Sequence, residues 1–409
     1  MLRRYYIKSF TPFKVKKREI IILILTLLMP LYTLALVFFE FIKKNSSRFN
    51  IISASFVFAY FAFFIEPPME YDLFRHYEKI NSLRGLSFIS AVNISDPGYI
   101  LFNAYAWLIN VLGLPKQFFT ASVVFTSYFL VFSVFFDFKL RCLNKERKQT
   151  LLIVFCVVWL SIGFVGIASG IRNGLANIII FYVGYHFIYY NKLSLFICGS
   201  IFAFFIHPFA ALPALLIVFS KKLSGLAQYG KMLVLIAAVF IFLPKLTTYI
   251  VGYLYEILES ISFVKMEYFQ GDSEWGGGFY QIRSIYGLIA NLGIQYLSFY
   301  IAMIYLLISK PEKNDPIYFL VCCLACVAGV FFFFYNFSVR VIAIFIYFFS
   351  FYISYKYVVR KNNTNKIFIC LILGSLVFNS IFSFYTFRDF LFSSYDFLYK
   401  PPPLVLLGF

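Results

Sequence analysis

The sequence predicts an all-α, polytopic integral membrane protein with about 11–12 transmembrane helices, and three observations predict it. Apolar runs of seventeen or more residues recur along the chain, the length needed to cross a bilayer as a helix. Only 13% of its 409 residues are charged, against 62% hydrophobic, far more apolar surface than a soluble domain of this size requires. Lys and Arg gather in short loops between the runs, which is the topology signal of a membrane protein. That placement accounts for the formal charge of +18, so nucleic acid is not an expected partner.

Taken in order, spans are expected near 20–41, 51–65, 117–138, 150–168, 172–190, 193–207, 208–220, 231–250, 285–308, 317–335, 341–358 and 367–386. The segment 208–220 is short and opens on His207-Pro208, so it is expected as a half-helix leaning back into the protein. The basic start, residues 1–19, lacks a small-residue cleavage site and is expected to lead into an uncleaved first span. The loops 139–148, 191–192, 221–222, 309–316 and 356–366 carry the basic residues and are assigned to the cytoplasmic side. Residues 168–173, 207–208, 251–284, 336–340 and the tail 387–409 then face outward. One region resists. Residues 1–19 hold seven Lys/Arg and 43–48 hold Lys43, Lys44 and Arg48; both want the inside, yet a single span separates them. If 43–48 is inside, loop 66–98 is outside and segment 99–114 lies at the outer interface or dips into the protein. If 20–41 crosses from an inside N-terminus, loop 66–98 is inside and 99–114 crosses.

A charged group at the end of a spanning helix is costly unless used or paired, so the chemistry is sought there. Loop 66–98 packs Glu66, Glu70, Asp72, Arg75, His76 and Glu78 into thirteen residues. In a helix starting after Pro68, Asp72, Arg75 and His76 share a face. A carboxylate beside a base at a membrane surface serves as general base or binds sugar hydroxyls; a solvated helix with internal ion pairs is the competing reading. Arg172, between Gly170 and Gly174 at the start of a span, is placed to clamp a phosphate with two hydrogen bonds, aided by the helix N-terminus. Snorkelling explains the arginine but not the glycines. Arg340 repeats this geometry after FYNFSV. His207 is one of only three histidines and lies at a predicted outer end, where an imidazole can move a proton or serve a structural role. In loop 251–284 an amphipathic stretch is followed by GDSEWGGGFYQIR, whose Trp275, Tyr280 and Arg283 suit sugar rings and hydroxyls as well as interfacial anchoring. Cys322-Cys323-x-x-Cys326 sits within an apolar run and reads as helix packing rather than a zinc site. The chain carries no nucleotide loop, dinucleotide fingerprint or zinc spacing.

The order of these elements resembles the Wzy-type O-antigen polymerases, most closely their EpsG-like branch. The resemblance is carried by Tyr71-Asp72-Leu73-Phe74-Arg75-His76-Tyr77, by Asp96-Pro97-Gly98-Tyr99 opening a helix with Asn103, by Gly170-Ile171-Arg172-Asn173-Gly174, and by His207-Pro208-Phe209-Ala210-Ala211. It covers roughly residues 45–220, with Arg340 a weaker counterpart. Asn173 stands where the family often has Gln, and Pro208 where a small polar residue is common. The resemblance implies a single GT-C-like transmembrane domain over 1–409. Within it, 66–116 forms a first periplasmic loop with an interfacial helix, 251–284 a large periplasmic loop, and 387–409 a periplasmic tail. It implies a glycosyltransferase of the bacterial inner membrane that joins undecaprenyl-pyrophosphate-linked oligosaccharide repeat units, as donor and acceptor, at the periplasmic face. Membrane lipid and a chain-length regulator protein are the further partners. No metal or cofactor is expected, because Arg172, Arg340 and Arg75 can neutralise the pyrophosphate. Asp72 or His207 is the base, and Tyr71, Asn173, Trp275, Tyr280 and Arg283 are the sugar contacts. A lipid-linked oligosaccharide flippase and a polysaccharide O-acyltransferase are the alternatives.

Overall fold

The computed structural model describes residues 17–43, 49–69, 71–93, 100–143, 146, 148–258, 284–360, 362–387 and 400–402. Among them every regular element is a helix. The expected contacts Trp275, Tyr280 and Arg283 lie outside the described residues, as do 94–99 and most of the tail.

The first departure from expectation resolves the charge conflict. Lys17–Leu28 (α1) and Pro30–Ile42 (α2) replace the single span 20–41. Pro30 has no N–H to continue a helix and instead opens a new one at its first turn. Arg18 then pairs with Glu40. A continuous helix would hold these residues about 33 Å apart, so α1 and α2 fold back on each other. Each is about 18–20 Å long, short of a hydrocarbon core of roughly 30 Å. The hairpin enters and leaves at one end of the molecule, with Arg18 and Lys43 both on Glu40 there.

Phe49–Phe63 (α3) then runs away from that end and packs antiparallel to a later helix, Gln117–Phe138, with Phe58 stacked on Tyr128 at 4.1 Å between ring centroids. Between the two lie Asp72–Ser82 (α4), Phe88–Asn93 (α5) and Ile100–Val111 (α6); Gln117–Phe138 is therefore α7. The Tyr77 hydroxyl sits 2.9 Å from Thr120 Oγ1 and donates to the Ile65 carbonyl, so residues 66–116 start and finish at the same end of the α3–α7 pair. At twelve residues α6 is about 18 Å long. It is held against the loop by Trp107 Nε1 donating to the Leu86 carbonyl at 2.9 Å and by Asn110 donating to Ile80.

Lys148–Ser161 (α8), Phe164–Ser169 (α9) and Ile171–Tyr190 (α10) follow. Leu193–Ile206 (α11) returns along α10, with Gly199 packed where a side chain would collide with Val183. A 3-10 turn, Pro208–Ala210, turns the chain into Ala211–Lys222 (α12), the short leaning helix the sequence predicts. Gly230–Phe242 (α13) and Pro244–Leu258 (α14) break at Pro244, again a helix-opening proline. Ile285–Leu288 (α15), Leu297–Ile308 (α16), Pro316–Val330 (α17), Tyr335–Val359 (α18) and Asn363–Thr386 (α19) complete the bundle. Five of the described helices have the length and apolar character to cross a membrane, and further apolar helices are shorter; the chain is a multi-pass, all-α membrane protein. Cys322 of the three-cysteine run packs on Gly230 of α13, in keeping with its expected packing role.

The basic end is tied together by buried polar contacts. Lys139 donates to the carbonyls of Phe41 and Lys43. Lys356 pairs with Glu312 at 2.9 Å and Asp315 at 3.4 Å, which joins the loops 309–316 and 356–366. The largest cluster centres on Asp137 of α7. Its carboxylate accepts from Tyr185 at 2.8 Å, Tyr190 at 2.6 Å and Arg141 Nε at 3.1 Å. Arg141 in turn lies over the ring of Tyr189, 4.5 Å from its centroid. Removing one member of a buried pair leaves the other charge uncompensated, at a cost of about 3–5 kcal/mol. Asp137→Ala is therefore expected to lower resistance to SDS unfolding by roughly that amount, and Asp137→Asn by less. Unchanged unfolding of both would show that the cluster does not stabilise α7 against α10.

Candidate functional site

The candidate site is built at the end opposite the basic loops. Chain turning at Glu66-Pro67-Pro68 is followed by α4, which begins at Asp72 with Tyr71 as its extended cap residue. A carboxylate in the first turn is favoured by the helix N-terminus. The four-residue spacing carries Asp72 and His76 onto one face: His76 Nε2 lies 3.0 Å from Asp72 Oδ2, and Arg75 Nη2 lies 3.2 Å from Oδ1. The two ends of this pairing differ in access. The Asp72 side chain is 46% exposed and that of His76 only 6%. A substrate can thus meet Asp72, while His76 holds it from behind.

Arg172 joins this cluster from α10. Its guanidinium lies over the Phe102 ring of α6, 5.4 Å from the centroid, and His76 packs on the same ring at 4.9 Å. Gly174 allows α9 to approach closely: a Cβ there would meet the Ile167 backbone at 3.1 Å. The charges act on Asp72. Burial alone raises its pKa, but the His76 hydrogen bond and the charges of Arg172 and Arg75 outweigh it, and the carboxyl is held well below the usual range. Burial is the largest influence on His76 and pushes it below its ordinary value despite the Asp72 partner. At neutral pH His76 is then an uncharged donor, and the two arginines supply the positive field.

Arg340 lies on α18, beside α10. Its backbone carbonyl accepts from Asn177 Nδ2 at 3.3 Å, so the second turns of α10 and α18 lie side by side. In the α10–α11 register set by Gly199 and Val183, His207 falls about one helical turn inward of Arg172. The Phe209 amide donates to His207 Nδ1 at 3.2 Å, which caps the 3-10 turn and leaves the proton of the neutral ring on Nε2. Phe209 packs on Phe337 of α18 at 5.5 Å. Tyr71 packs against Phe387 at 6.0 Å, and Tyr60 donates to the Lys400 carbonyl, so both described parts of the tail return to this end. Asn173 faces away from the Asp72 cluster, into a cavity of 380 Å³ among α8–α10, α16, α18 and α19.

The structure thus gathers Asp72, Arg75 and Arg172 and sets Arg340 and His207 on the helices flanking α10. It adds two residues not among the predicted site residues. His76 was legible as the partner four residues after Asp72; Phe102, the ring shared by two elements, had no sequence signal beyond its place in an apolar helix. The neutral preference of His76 has a consequence for stability. Its folded pKa is depressed, so its contribution is complete above the unfolded value of 6.5 and declines as pH falls below it. Lowering the pH from 7.5 to 5.5 should cut the melting temperature of the native protein more than that of His76→Gln. Equal losses would show that His76 is not held neutral.

The sequence model of the EpsG family matches residues 69–397, which include α4, Arg172, His207 and Arg340. Comparison with curated proteins and with solved structures gives no match. With most of its length matched, the chain belongs to the EpsG family, whose members are associated with polysaccharide polymerisation.

Proposed function

We propose that this protein is an O-antigen or related surface-polysaccharide polymerase. It joins oligosaccharide repeat units carried on undecaprenyl pyrophosphate at the periplasmic face of the bacterial inner membrane. The observation that carries the reading is the convergence of Asp72, Arg75 and His76 on Arg172 across Phe102, at the end away from the basic loops. An exposed carboxylate beside two arginines fits a reaction in which a hydroxyl loses a proton and a pyrophosphate departs.

In this mechanism the acceptor is the terminal sugar of a lipid-linked unit and the donor is the growing chain. The acceptor oxygen forms a bond to the donor's anomeric carbon, and the bond from that carbon to the pyrophosphate oxygen breaks. The electron pair leaves with the pyrophosphate, which Arg172, Arg340 and Arg75 neutralise. The proton passes to Asp72, and His207, through Nε2, orients the acceptor or contacts the leaving group. The low pKa of Asp72 makes it a weak base while the arginines face it alone. An arriving pyrophosphate draws those charges to itself, and the basicity of Asp72 rises when a donor is present. No metal is needed for charge neutralisation in this scheme. A flippase, by contrast, needs no proton acceptor at one face.

Three measurements test this reading. Purified protein with synthetic lipid-linked repeat units should polymerise, and Asp72→Asn, which keeps shape but not basicity, should lose rate by about a hundredfold or more. If Asp72→Asn keeps the full rate while His207→Gln is inactive, His207 is the base. Arg172→Lys keeps the charge but loses the two-pronged contact; it and Arg172→Ala should fail to produce long chains, and normal polymer from both would remove Arg172 from the site. Finally, Ser82 is exposed on α4, so Ser82→Cys should react with an impermeant maleimide in intact spheroplasts. Reaction only after permeabilisation would place α4 and Asp72 in the cytoplasm.

A further inference from the structure

The N-terminal half of α10 presents two chemically opposite faces. Successive residues of a helix are turned by about 100°, so Arg172 and the pair Asn173 and Asn177 point in different directions. Arg172 turns to Phe102 and the Asp72 cluster. Asn173 and Asn177, four residues apart, turn into the 380 Å³ cavity. That volume falls within the range of roughly 300–1,000 Å³ typical of small-molecule sites.

The lining of this cavity specifies a ligand. Phe58, Tyr128 and Trp159 supply aromatic surface on one side. Gln295, Asn379 and Ser383 supply polar groups from α19 and the segment before α16. Asn177 is only 1% exposed. Its amide nitrogen is committed to the Arg340 carbonyl, which fixes the amide orientation and leaves Oδ1 as an acceptor without a partner; Asn173 Oδ1 is in the same condition. Both asparagines border the cavity together with Ser161, Ser298 and Ser380, a neutral set of donors and acceptors that suits a ligand bearing hydroxyl groups. None of the described residues lining the cavity is charged. A carboxylate entering it would lose its water and find no cation.

We propose that this cavity is a subsite for an uncharged, hydroxyl-rich pyranose, and that it selects neutral over acidic sugars at the position it holds. The proposal rests on the polymerase reading above, since it makes the seated sugar part of the lipid-linked substrate. The two faces of α10 then divide the substrate: the pyrophosphate goes to the arginine face and a neutral sugar ring to the asparagine face.

Saturation-transfer NMR tests this with the full-length protein in nanodiscs, corrected with empty nanodiscs. The probes are methyl glucopyranoside, methyl N-acetylglucosaminide and methyl glucuronide. The neutral glycosides should receive saturation and the glucuronide at least tenfold less. Asn177→Leu replaces a polar wall of the cavity with an apolar one, and Ser383→Trp fills the space from another helix; each should reduce the neutral signal at least tenfold. Should Asn177→Leu fail to fold, Ser383→Trp alone decides. Equal transfer to the glucuronide, or a neutral signal that persists in the folded, filled variant, overturns the subsite. The polymerisation assay separates the two ideas: native protein that binds neutral glycosides in this cavity but never polymerises supports the subsite and sinks the reaction.

Discussion

Pairing of charge inside an apolar bundle is the constraint on which the rest of this structure depends. A bilayer gives an unpaired ion nowhere to go, and α10 is anchored at both ends by ions that are paired. At the basic end, Asp137 and Arg141 of the α7 segment take the hydroxyls of Tyr185 and Tyr190. At the other end, Arg172 meets the field of Asp72 while its guanidinium rests on Phe102. With both ends fixed, the rotation of α10 is fixed too. That rotation decides which side chains face the cationic cluster and which face the uncharged cavity, so a contact near Tyr185 bears on a site a full helix length away.

The same logic explains why α4 and α6 stay at one end. The α4 helix carries five ionisable side chains in Asp72, Arg75, His76, Glu78 and Lys79. Burying them across a membrane would cost far more than the pairs among them return. Its apolar residues Leu73, Tyr77 and Ile80 face inward instead, and Tyr77 fastens the helix to Ile65 and Thr120. The α4 helix is thus fastened in place, where it sets Asp72 in the field of Arg172.

Much of this was legible in the sequence because its signals are local. The four-residue step from Asp72 to His76, the glycines around Arg172 and the His207-Pro208 corner each follow from helical spacing or backbone sterics. The glycine at 174 does what its position suggested, admitting the Ile167 backbone. What could not be read depended on contacts distant in the chain. Nothing near Asp137 in sequence announces Tyr185 and Tyr190. Phe102 becomes a platform only when α6 is laid beneath both α4 and α10. The cavity draws its polar lining from Asn173, Gln295 and Asn379, residues that look incidental until three helices meet. Trp275, Tyr280 and Arg283 fall outside the described residues, and their part in sugar binding stays with the proposal.

The most instructive failure of linear reading is the span 20–41. Hydropathy counts apolar residues but does not see that Pro30 divides the run into two helices, each too short to cross. The alternative in which 43–48 is inside needs the run to turn back, and the Arg18–Glu40 and Lys43–Glu40 pairs bring the start of α1 to the end of α2. When the two signals conflict, a basic cluster deserves more weight than a run interrupted by proline. A misplaced charge costs several kcal/mol, while a proline break removes the continuity on which the length argument rests. Applied here, the correction carries forward without further assumption. With α1 and α2 folded back, α3 is the first helix to run toward the far end, where α4 holds Asp72 in the field of Arg172 from α10.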